Sequence, residues 1–148
     1  MKIPKLTPRL ALVADFISES GCRTVADVGT DHAKLPIYLV ATGKAEKVYA
    51  SDLRKGPLKK AAENVAFYLG EEAERVPLIL GNGTENIPTD YDCLSITGMG
   101  GELISEILGR SELPENATLV LSPMTGAEKL RKSLYLSGFE IIRETLVG

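Results

Sequence analysis

The sequence is poor in the residues that metal sites and histidine-based catalysis require. It holds one histidine, His32, and two cysteines, Cys22 and Cys93, that stand far apart in the chain. Without CxxC spacing or further histidines, this supply argues against a zinc site. A serine-histidine-aspartate hydrolase would depend on His32 alone. The two cysteines favour reduced thiols in a cytoplasmic protein.

Long apolar runs and an excess of basic charge are absent as well. No stretch is long enough to cross a bilayer, and the N-terminus lacks the apolar core of a signal peptide. The net charge is -3 and the isoelectric point about 5.3. A strong nucleic-acid binder usually has a basic bias. The total charge therefore does not point to nucleic acid, although a local basic patch would still allow it.

The chain alternates between strand and helix patterns, which predicts an α/β fold. At 148 residues it is long enough for one domain with a substantial core. Helices are predicted over residues 8–20, 35–42, 57–69, 102–108 and 127–136, and strands over 24–28, 47–51, 76–80, 91–97, 118–122 and 139–147. Strand residues 119–121 are apolar on both faces, as in parallel sheets. We expect a mostly parallel, Rossmann-like sheet with helices on both faces.

The first two strands carry the most informative motif. The first strand leads into a turn at Gly29, and the second ends at Asp52, where a carboxylate can hold a ribose. The dinucleotide spacing GxGxxG is absent, because Asp31 and Lys34 occupy two of the glycine positions. An acid before the first glycine, here Asp27, is typical of S-adenosylmethionine enzymes. In such enzymes the glycine lets the backbone approach the methionine end of the cofactor, and a nearby carboxylate can meet its ammonium group. The predicted cofactor is therefore S-adenosyl-L-methionine.

Residues after the second and third strands extend the predicted cofactor site. Asp52 is expected to accept both ribose hydroxyls; its alternative role is an N-cap, for which positions just before Pro57 fit better. Asn82 is expected to contact the adenine, with a plain Gly-Asn-Gly turn as the alternative. Asp27 and Gly29 also have structural alternatives. Asp27 could only accept hydrogen bonds from turn amides, and Gly29 could only form a tight turn. The predicted cofactor-binding residues are Asp27, Gly29, Asp52, Leu53, Asn82, Gly83 and Gly98.

The candidate catalytic residues lie after the first, fourth and fifth strands. Asp31 and His32 suggest a catalytic dyad, but capping of the next helix, or positioning in the pocket, is the more ordinary interpretation. The run from Gly98 to Gly101 leaves space for a bulky group near the methyl; a glycine-rich turn into a helix is the alternative. No residue is marked as a catalytic base. The predicted catalytic or positioning residues are His32, Asp31, Gly98, Met99 and Pro123.

Basic residues form three groups along the chain. They are Lys2, Lys5 and Arg9; then Arg54, Lys55, Lys59 and Lys60; and finally Lys129, Arg131 and Lys132. Such groups are usually solvated helix faces, and phosphate binding by any one of them is the alternative hypothesis.

These motifs resemble the bacterial tRNA (adenine-22-N1)-methyltransferase family, known as TrmK. The matching stretches span nearly the whole chain, and the turn Gly-x-Asp-His followed by Leu-Pro, combined with Gly-Met-Gly-Gly, is the specific part. The matches lie in residues 9–14, 26–36, 50–64, 98–108 and 130–131. The resemblance implies a class I methyltransferase domain that uses S-adenosyl-L-methionine to methylate N1 of adenine 22 in tRNA. It gives no indication of a metal or a membrane, and the oligomeric state stays open.

The chain departs from the family pattern in several places. The family has a C-terminal helical extension that helps to grip tRNA, and its sheet closes with a seventh strand. Both are missing, so residues 1–148 are expected to be an incomplete family chain. Asn82 stands where the family tends to have an acid, and Met124 stands in a loop that tends toward Gln-Pro-Asn. Flipped bases usually stack on aromatic or apolar side chains, yet nothing in the sequence selects among Tyr38, Tyr49 and Tyr91.

Two other functions remain compatible with the sequence. A small-molecule methyltransferase on the same sheet would suit the acidic isoelectric point and the missing tRNA arm. A truncated, non-catalytic module that binds S-adenosyl-L-methionine without turnover is the second. A nicotinamide dehydrogenase fits least, because the glycine spacing it requires is absent.

Overall fold

The computed structural model describes residues 2–146, whose strands form one sheet covered by helices. The helices are α1 (Pro8–Ser20), α2 (Lys34–Ala41), α3 (Lys55–Leu69), α4 (Gly101–Arg110) and α5 (Ala127–Leu136). The strands are β1 (Thr24–Val28), β2 (Lys47–Asp52), β3 (Leu78–Leu80), β4 (Cys93–Met99) and β5 (Thr118–Pro123). Their order is β3-β2-β1-β4-β5, and all neighbouring strands are parallel. The predicted Rossmann-like α/β fold is confirmed.

Local sequence sets the limits of α1. Pro8 occupies the first turn, where no intrahelical N–H bond is required, and the Thr7 hydroxyl accepts a hydrogen bond from the Leu10 amide at 3.3 Å. Gly21 ends the helix in the left-handed conformation, with φ of 75°. The predicted limits of α1 and α5 are confirmed, and the other helices differ by one or two residues at one or both ends. None of the helices in residues 2–146 is long and apolar enough to cross a membrane.

The core lies on both faces of the sheet because successive strand residues point to opposite sides. Val48 packs in a cluster with Ile17 of α1 and Val65 of α3. Its neighbour Tyr49 packs in a second cluster with Ile104 of α4, which also contains residues of α5. Helices α1, α2 and α3 therefore cover one face, and α4 and α5 cover the other.

The third strand is shorter than predicted. Residues 76–80 were expected to be extended, but β3 contains only Leu78–Leu80, preceded by a 3-10 helix over Gly70–Arg75. Pro77 has no N–H to donate to the sheet, although its carbonyl accepts from the Ala50 amide at 2.9 Å. The 3-10 helix is absent from the sequence prediction.

The predicted sixth strand is wrong for residues 139–146, which form no strand; Val147 lies outside the described residues. After Gly138 the Phe139 amide donates to the Leu134 carbonyl at 2.9 Å, which turns the chain back along α5. Arg143 then pairs with Glu19 of α1. Side-chain contacts with two helices replace pairing beside β5.

Candidate cofactor and acceptor site

The carboxyl ends of the strands surround a cavity of about 630 Å³. It lies where the strand order reverses, with β2 and β3 on one side of β1 and with β4 and β5 on the other. Loops diverge at such a switch point and leave a crevice in which α/β proteins bind ligands. Every residue predicted for the site lines this cavity except Pro123. The structure thus brings together residues that are up to about seventy positions apart in the sequence.

A larger groove of about 840 Å³ lies between α4 and α5. It is lined by residues such as Glu102, Glu106 and Glu128, and by none of the predicted cofactor residues. Lys129 and Arg131 line it as well, so the groove is mixed in charge and contains no strand-end carboxylate. We therefore place the candidate site in the smaller cavity, where the strand ends converge.

Asp27 is a buried carboxyl group at the base of the cavity, with 2% of its surface exposed. The Ser95 hydroxyl of β4 donates a hydrogen bond to Asp27 Oδ1 at 2.8 Å. Burial raises the pKa of Asp27 to about 6, and the hydrogen bond from Ser95 opposes that rise. Because desolvation disfavours the charged carboxylate, a cationic ligand group beside Asp27 would be strongly favoured.

The turn after β1 brings backbone close to the cavity. Gly29 has φ of 75°, and a Cβ added to it would lie 2.6 Å from Cε of Met99. The turn is held against β2, because the Gly29 and Thr30 amides both donate to the Ser51 carbonyl, at 2.9 and 3.0 Å. The Thr30 hydroxyl is buried near Asp27, and it makes no hydrogen bond within the described residues. A ligand polar group is the natural partner for this oxygen.

Asp52 is buried at the end of β2, with 7% of its surface exposed. Its Oδ2 accepts from the Asp31 amide at 3.2 Å, and its Oδ1 accepts from the Arg54 amide at 3.1 Å. Each carboxylate oxygen keeps a further lone pair, so two hydroxyls can still bind. The N-cap alternative is wrong, because Arg54 occupies the N-cap of α3, and the expected cap just before Pro57 is wrong as well.

Asp31 and His32 lie at the rim of the cavity and do not cap α2. Asp31 and Ala33 both have left-handed backbones, and Ala33 occupies the N-cap. The capping interpretation is therefore wrong. His32 Nε2 lies 3.9 Å from Asp31 Oδ1, which is beyond hydrogen-bond distance, so no dyad is formed. The His32 carbonyl instead accepts from Asn64 Nδ2 at 2.9 Å, which ties the turn to α3.

Asn82 is an exposed residue at the end of the cavity beside β3. Its Oδ1 already accepts from Arg110 Nη2 at 2.6 Å, and its backbone amide donates to Glu85 Oε1 at 2.7 Å. The side-chain NH₂ group and one lone pair of Oδ1 remain for a ligand, so Asn82 can donate to an adenine ring nitrogen or accept from the adenine amino group. Gly83 packs on α4, where an added Cβ would meet Ile107 at 3.2 Å.

The glycines after β4 divide into two roles. Gly98 has φ of 75°, and an added Cβ would meet nothing within 4 Å, so this residue leaves open space in the cavity. Gly101 is different, because an added Cβ would lie 2.3 Å from the Gly126 carbonyl oxygen. Its amide donates to the Thr125 carbonyl at 2.7 Å. Part of the glycine run therefore joins the loops after β4 and β5 instead of making room for a ligand.

Pro123 is the predicted site residue that the structure places outside the cavity. It is the last residue of β5 and pairs with Met99 across the register shift in β4. Its neighbour Met124 lines the cavity, with 62% of its surface exposed. None of the tyrosines considered as base platforms lines the cavity, and the Tyr49 hydroxyl donates to Asp90 instead. The apolar side chains at this end come from Met99, Leu103 and Met124.

Several cavity residues lie outside the predicted set of catalytic and cofactor-binding residues. They are Thr7, Arg9, Leu10, Val28, Thr30, Lys34, Leu35, Ser51, Arg54, Gly81, Thr97, Leu103, Ile107 and Met124. The residues of α1 reach the strand ends only because α1 packs beside β5. No local sequence motif indicates that packing. Arg9 and Leu10 do belong to the stretches that resemble the TrmK family, which was the one available signal.

The strand order, the crevice at the switch point and the acids after β1 and β2 define a nucleotide-binding α/β domain of the class I methyltransferase type. Residues 6–148 match the family model described as "Methyltransferase domain". The chain belongs to this family.

Individual relatives confirm the resemblance to the TrmK enzymes. The chain is 34% identical to the tRNA (adenine(22)-N(1))-methyltransferase of Bacillus subtilis, over 97% of this chain and 60% of the relative. A structure of M. capricolum TrmK with S-adenosyl-homocysteine has 31% identity and a TM-score of 0.86, covering 97% of this chain and 63% of that one. Streptococcus pneumoniae Sp1610 with S-adenosyl-L-methionine has 33% identity and a TM-score of 0.86, covering 97% of this chain and 67% of that one. The chain spans about 60% of the length of the curated relatives it matches.

Proposed function

We propose that this chain binds S-adenosyl-L-methionine in the cavity and transfers its methyl group to N1 of adenine 22 in tRNA. The observation that carries the proposal is the buried Asp52 at the end of β2, facing a crevice that also holds Asp27. Similarity to the Bacillus subtilis tRNA (adenine(22)-N(1))-methyltransferase supports the acceptor. A tRNA substrate would place the protein in the cytoplasm.

Each polar group of the cavity can be matched to one part of this cofactor. Asp52 has lone pairs available for two ribose hydroxyls, and the NH₂ group of Asn82 is available for the adenine. Asp27 favours a cation, which suits the ammonium group, and the unpartnered Thr30 hydroxyl suits a polar atom of the methionine end. The relatives with bound S-adenosyl-homocysteine and S-adenosyl-L-methionine support this fit.

The chain's own contribution to the reaction is orientation. The bound cofactor supplies a methyl group that is already activated by its sulfonium. Adenine N1 carries a lone pair at neutral pH, so no residue needs to remove a proton first. This agrees with the absence of a formed dyad between Asp31 and His32. Gly98 leaves room for an approaching base, and Met99 and Met124 offer apolar contact, so these residues would hold the base in line with the methyl.

Methyl transfer from labelled S-adenosyl-L-methionine separates the alternatives. The proposal predicts label in unmodified bulk tRNA and one S-adenosyl-homocysteine formed per methyl group transferred. Label that appears only in a small-molecule fraction of a cell extract would instead show a small-molecule methyltransferase. Saturable cofactor binding with no acceptor in either fraction would show a non-catalytic module. A titration with NAD is the control for cofactor identity.

A further inference from the structure

Arg9 connects α1 to the end of β5 at the edge of the cavity. Its Nη1 donates to the Ser122 hydroxyl at 3.0 Å and to the Pro123 carbonyl at 3.4 Å. The side chain is partly buried and lines the cavity. These two contacts hold the guanidinium in place at the mouth of the site.

The positive charge of Arg9 has no acidic partner in residues 2–146. Both hydrogen-bond acceptors are neutral oxygens, and no carboxylate of the described chain lies within 4.0 Å of its nitrogens. A guanidinium has five N–H donors, so those on Nε and Nη2 remain available. A half-buried, uncompensated guanidinium with free donors is suited to an anion with paired oxygens.

The place of Arg9 in the cavity indicates which anion it meets. Asp52 and Asn82 occupy the half beside β2 and β3, which we propose for the nucleoside of the cofactor. Arg9 occupies the opposite half, beside β5, where the acceptor would lie. The other lining residues contributed there by the start of α1, β4, the first turn of α4 and the loop after β5 are uncharged: Thr7, Leu10, Thr97, Gly98, Met99, Leu103 and Met124. An RNA acceptor brings a phosphodiester next to its base.

We propose that Arg9 binds a backbone phosphate adjacent to the target adenine and so fixes the base at the methyl group. This assignment rests on the proposed function. It gives a role to one member of the group Lys2, Lys5 and Arg9, while Lys2 lies over the Phe67 ring at 4.4 Å. The proposal thus assigns Arg9 to the acceptor; a loss of S-adenosyl-L-methionine affinity in Arg9→Gln would assign it to the cofactor carboxylate instead and overturn the proposal.

A purely structural role for Arg9 would have different effects on catalysis and tRNA binding than a phosphate contact. Arg9 also tethers β5 to α1, so its loss can disturb the Met124 loop without any phosphate being involved. Such a disturbance would lower kcat and would be equally severe for any replacement. Loss of a phosphate contact instead raises the Kd for tRNA and reduces its dependence on salt.

The test is the binding of labelled tRNA by the chain saturated with S-adenosyl-homocysteine, measured by fluorescence anisotropy between about 50 and about 200 mM salt. For Arg9→Gln we expect a Kd increase of about tenfold, and a slope of log K against log salt that is smaller by about one. Arg9→Lys, which keeps the charge, should retain the wild-type slope with a smaller loss of affinity. Arg23→Gln is the control, since Arg23 pairs with Glu46 at the amino ends of β1 and β2, away from the cavity at the carboxyl ends. The affinity for S-adenosyl-L-methionine, measured by calorimetry, should be unchanged in all three variants.

The outcomes separate this assignment from the proposed function. If wild type binds and methylates tRNA while Arg9→Gln keeps the wild-type Kd and salt slope, the Arg9 assignment is overturned and the proposed function stands. Equal losses in Arg9→Gln and Arg9→Lys with an unchanged slope would also overturn it, in favour of the tether. A wild-type chain that binds no tRNA would overturn both.

Discussion

The backbone amide of Asp31 donates to Oδ2 of Asp52 at 3.2 Å, which joins the turn after β1 to the end of β2. The other oxygen of the same carboxylate accepts from the Arg54 amide. One buried side chain thus holds two loops that border the cavity and still presents lone pairs to a ligand. The shape of the cavity therefore depends on the same group that we propose for the ribose.

The first prediction concerns removal of this carboxylate. Asp52→Ala should weaken binding of S-adenosyl-L-methionine by about 1–3 kcal/mol, because the ribose hydroxyls lose their acceptors in a buried place. Isothermal titration calorimetry measures the change. An unchanged affinity would remove Asp52 from the site.

Asp92→Ala is the matched control for Asp52→Ala. The Asp92 carboxylate also accepts backbone N–H groups, from Arg23 and Thr24, but it lies at the amino ends of the strands. Its loss should lower the melting temperature and leave cofactor affinity unchanged. Equal losses of affinity in the two variants would mean that Asp52 acts only through folding.

The second prediction concerns Gly29. An alanine there would place its Cβ against Met99 Cε and would hold a side chain in the left-handed region, at φ of 75°. We expect Gly29→Ala to cost about 1–2 kcal/mol of folding stability and to weaken cofactor binding as well. Gly21→Ala, with the same φ and nothing within 4 Å, should cost stability alone. Chemical denaturation together with calorimetry separates the two effects, and a normal cofactor affinity in Gly29→Ala would contradict the prediction.

The third prediction follows from the burial of Asp27, which raises its pKa from 3.8 to about 6. The folded state therefore binds this proton more tightly than the unfolded state. The Asp27 contribution to stability is fully present below pH 3.8 and is lost as the pH rises to about 6. The difference corresponds to at most about 3 kcal/mol. Asp27→Asn, which keeps an acceptor for Ser95, should remove this pH dependence and be more stable than wild type at pH 8 (roughly two pH units above the raised pKa). Urea denaturation across this pH range measures the free energy of unfolding. Parallel curves of that free energy against pH for the two proteins would contradict the prediction.

The fourth prediction concerns the effect of the same group on binding. If the Asp27 carboxylate meets the ammonium group of the cofactor, the affinity should increase as the pH rises through about 6, since the charged form binds better. Binding near that pH should release a proton, which calorimetry detects as a dependence of the heat on the buffer's ionisation enthalpy. Asp27→Asn should show neither effect. A pH-independent wild-type affinity would place the ammonium group elsewhere.

The fifth prediction concerns the contact between the loops after β4 and β5. In Gly101→Ala the new Cβ would meet the Gly126 carbonyl oxygen, which is backbone and cannot rotate away. We expect a loss of about 1–3 kcal/mol in unfolding free energy. Gly109→Ala in the same helix meets nothing within 4 Å and should instead gain up to about 1 kcal/mol. Equal stabilities of the two variants would contradict the proposed role of Gly101.

Most of the fold could be predicted from the sequence because its signals are local. The limits of α1 follow from Thr7, Pro8 and Gly21, and the parallel sheet follows from strands that are apolar on both faces. The failed sixth strand shows the limit of such signals. An apolar stretch from residue 139 onward fits a strand pattern, but contacts with α1 and α5 decide its path.

The sequence predicted residues that line the cavity, but it did not predict the hydrogen bonds and packing contacts that those residues make. Strand ends indicate where ligands bind, so the sequence could predict that Asp27, Asp52 and Asn82 line one cavity. The hydrogen bond from Ser95 to Asp27 and the position of Arg9 beside β5 depend on tertiary packing, for which the chain has no local signal. The division of the glycine run likewise required the approach of Gly126.

Mass spectrometry of nucleosides tests the central claim most directly. Unmodified tRNA with adenine at position 22, and the same tRNA with guanine there, would be incubated with the chain and S-adenosyl-L-methionine. The account predicts 1-methyladenosine in the first tRNA and none in the second. Absence of 1-methyladenosine from both, in protein that binds the cofactor, would contradict it.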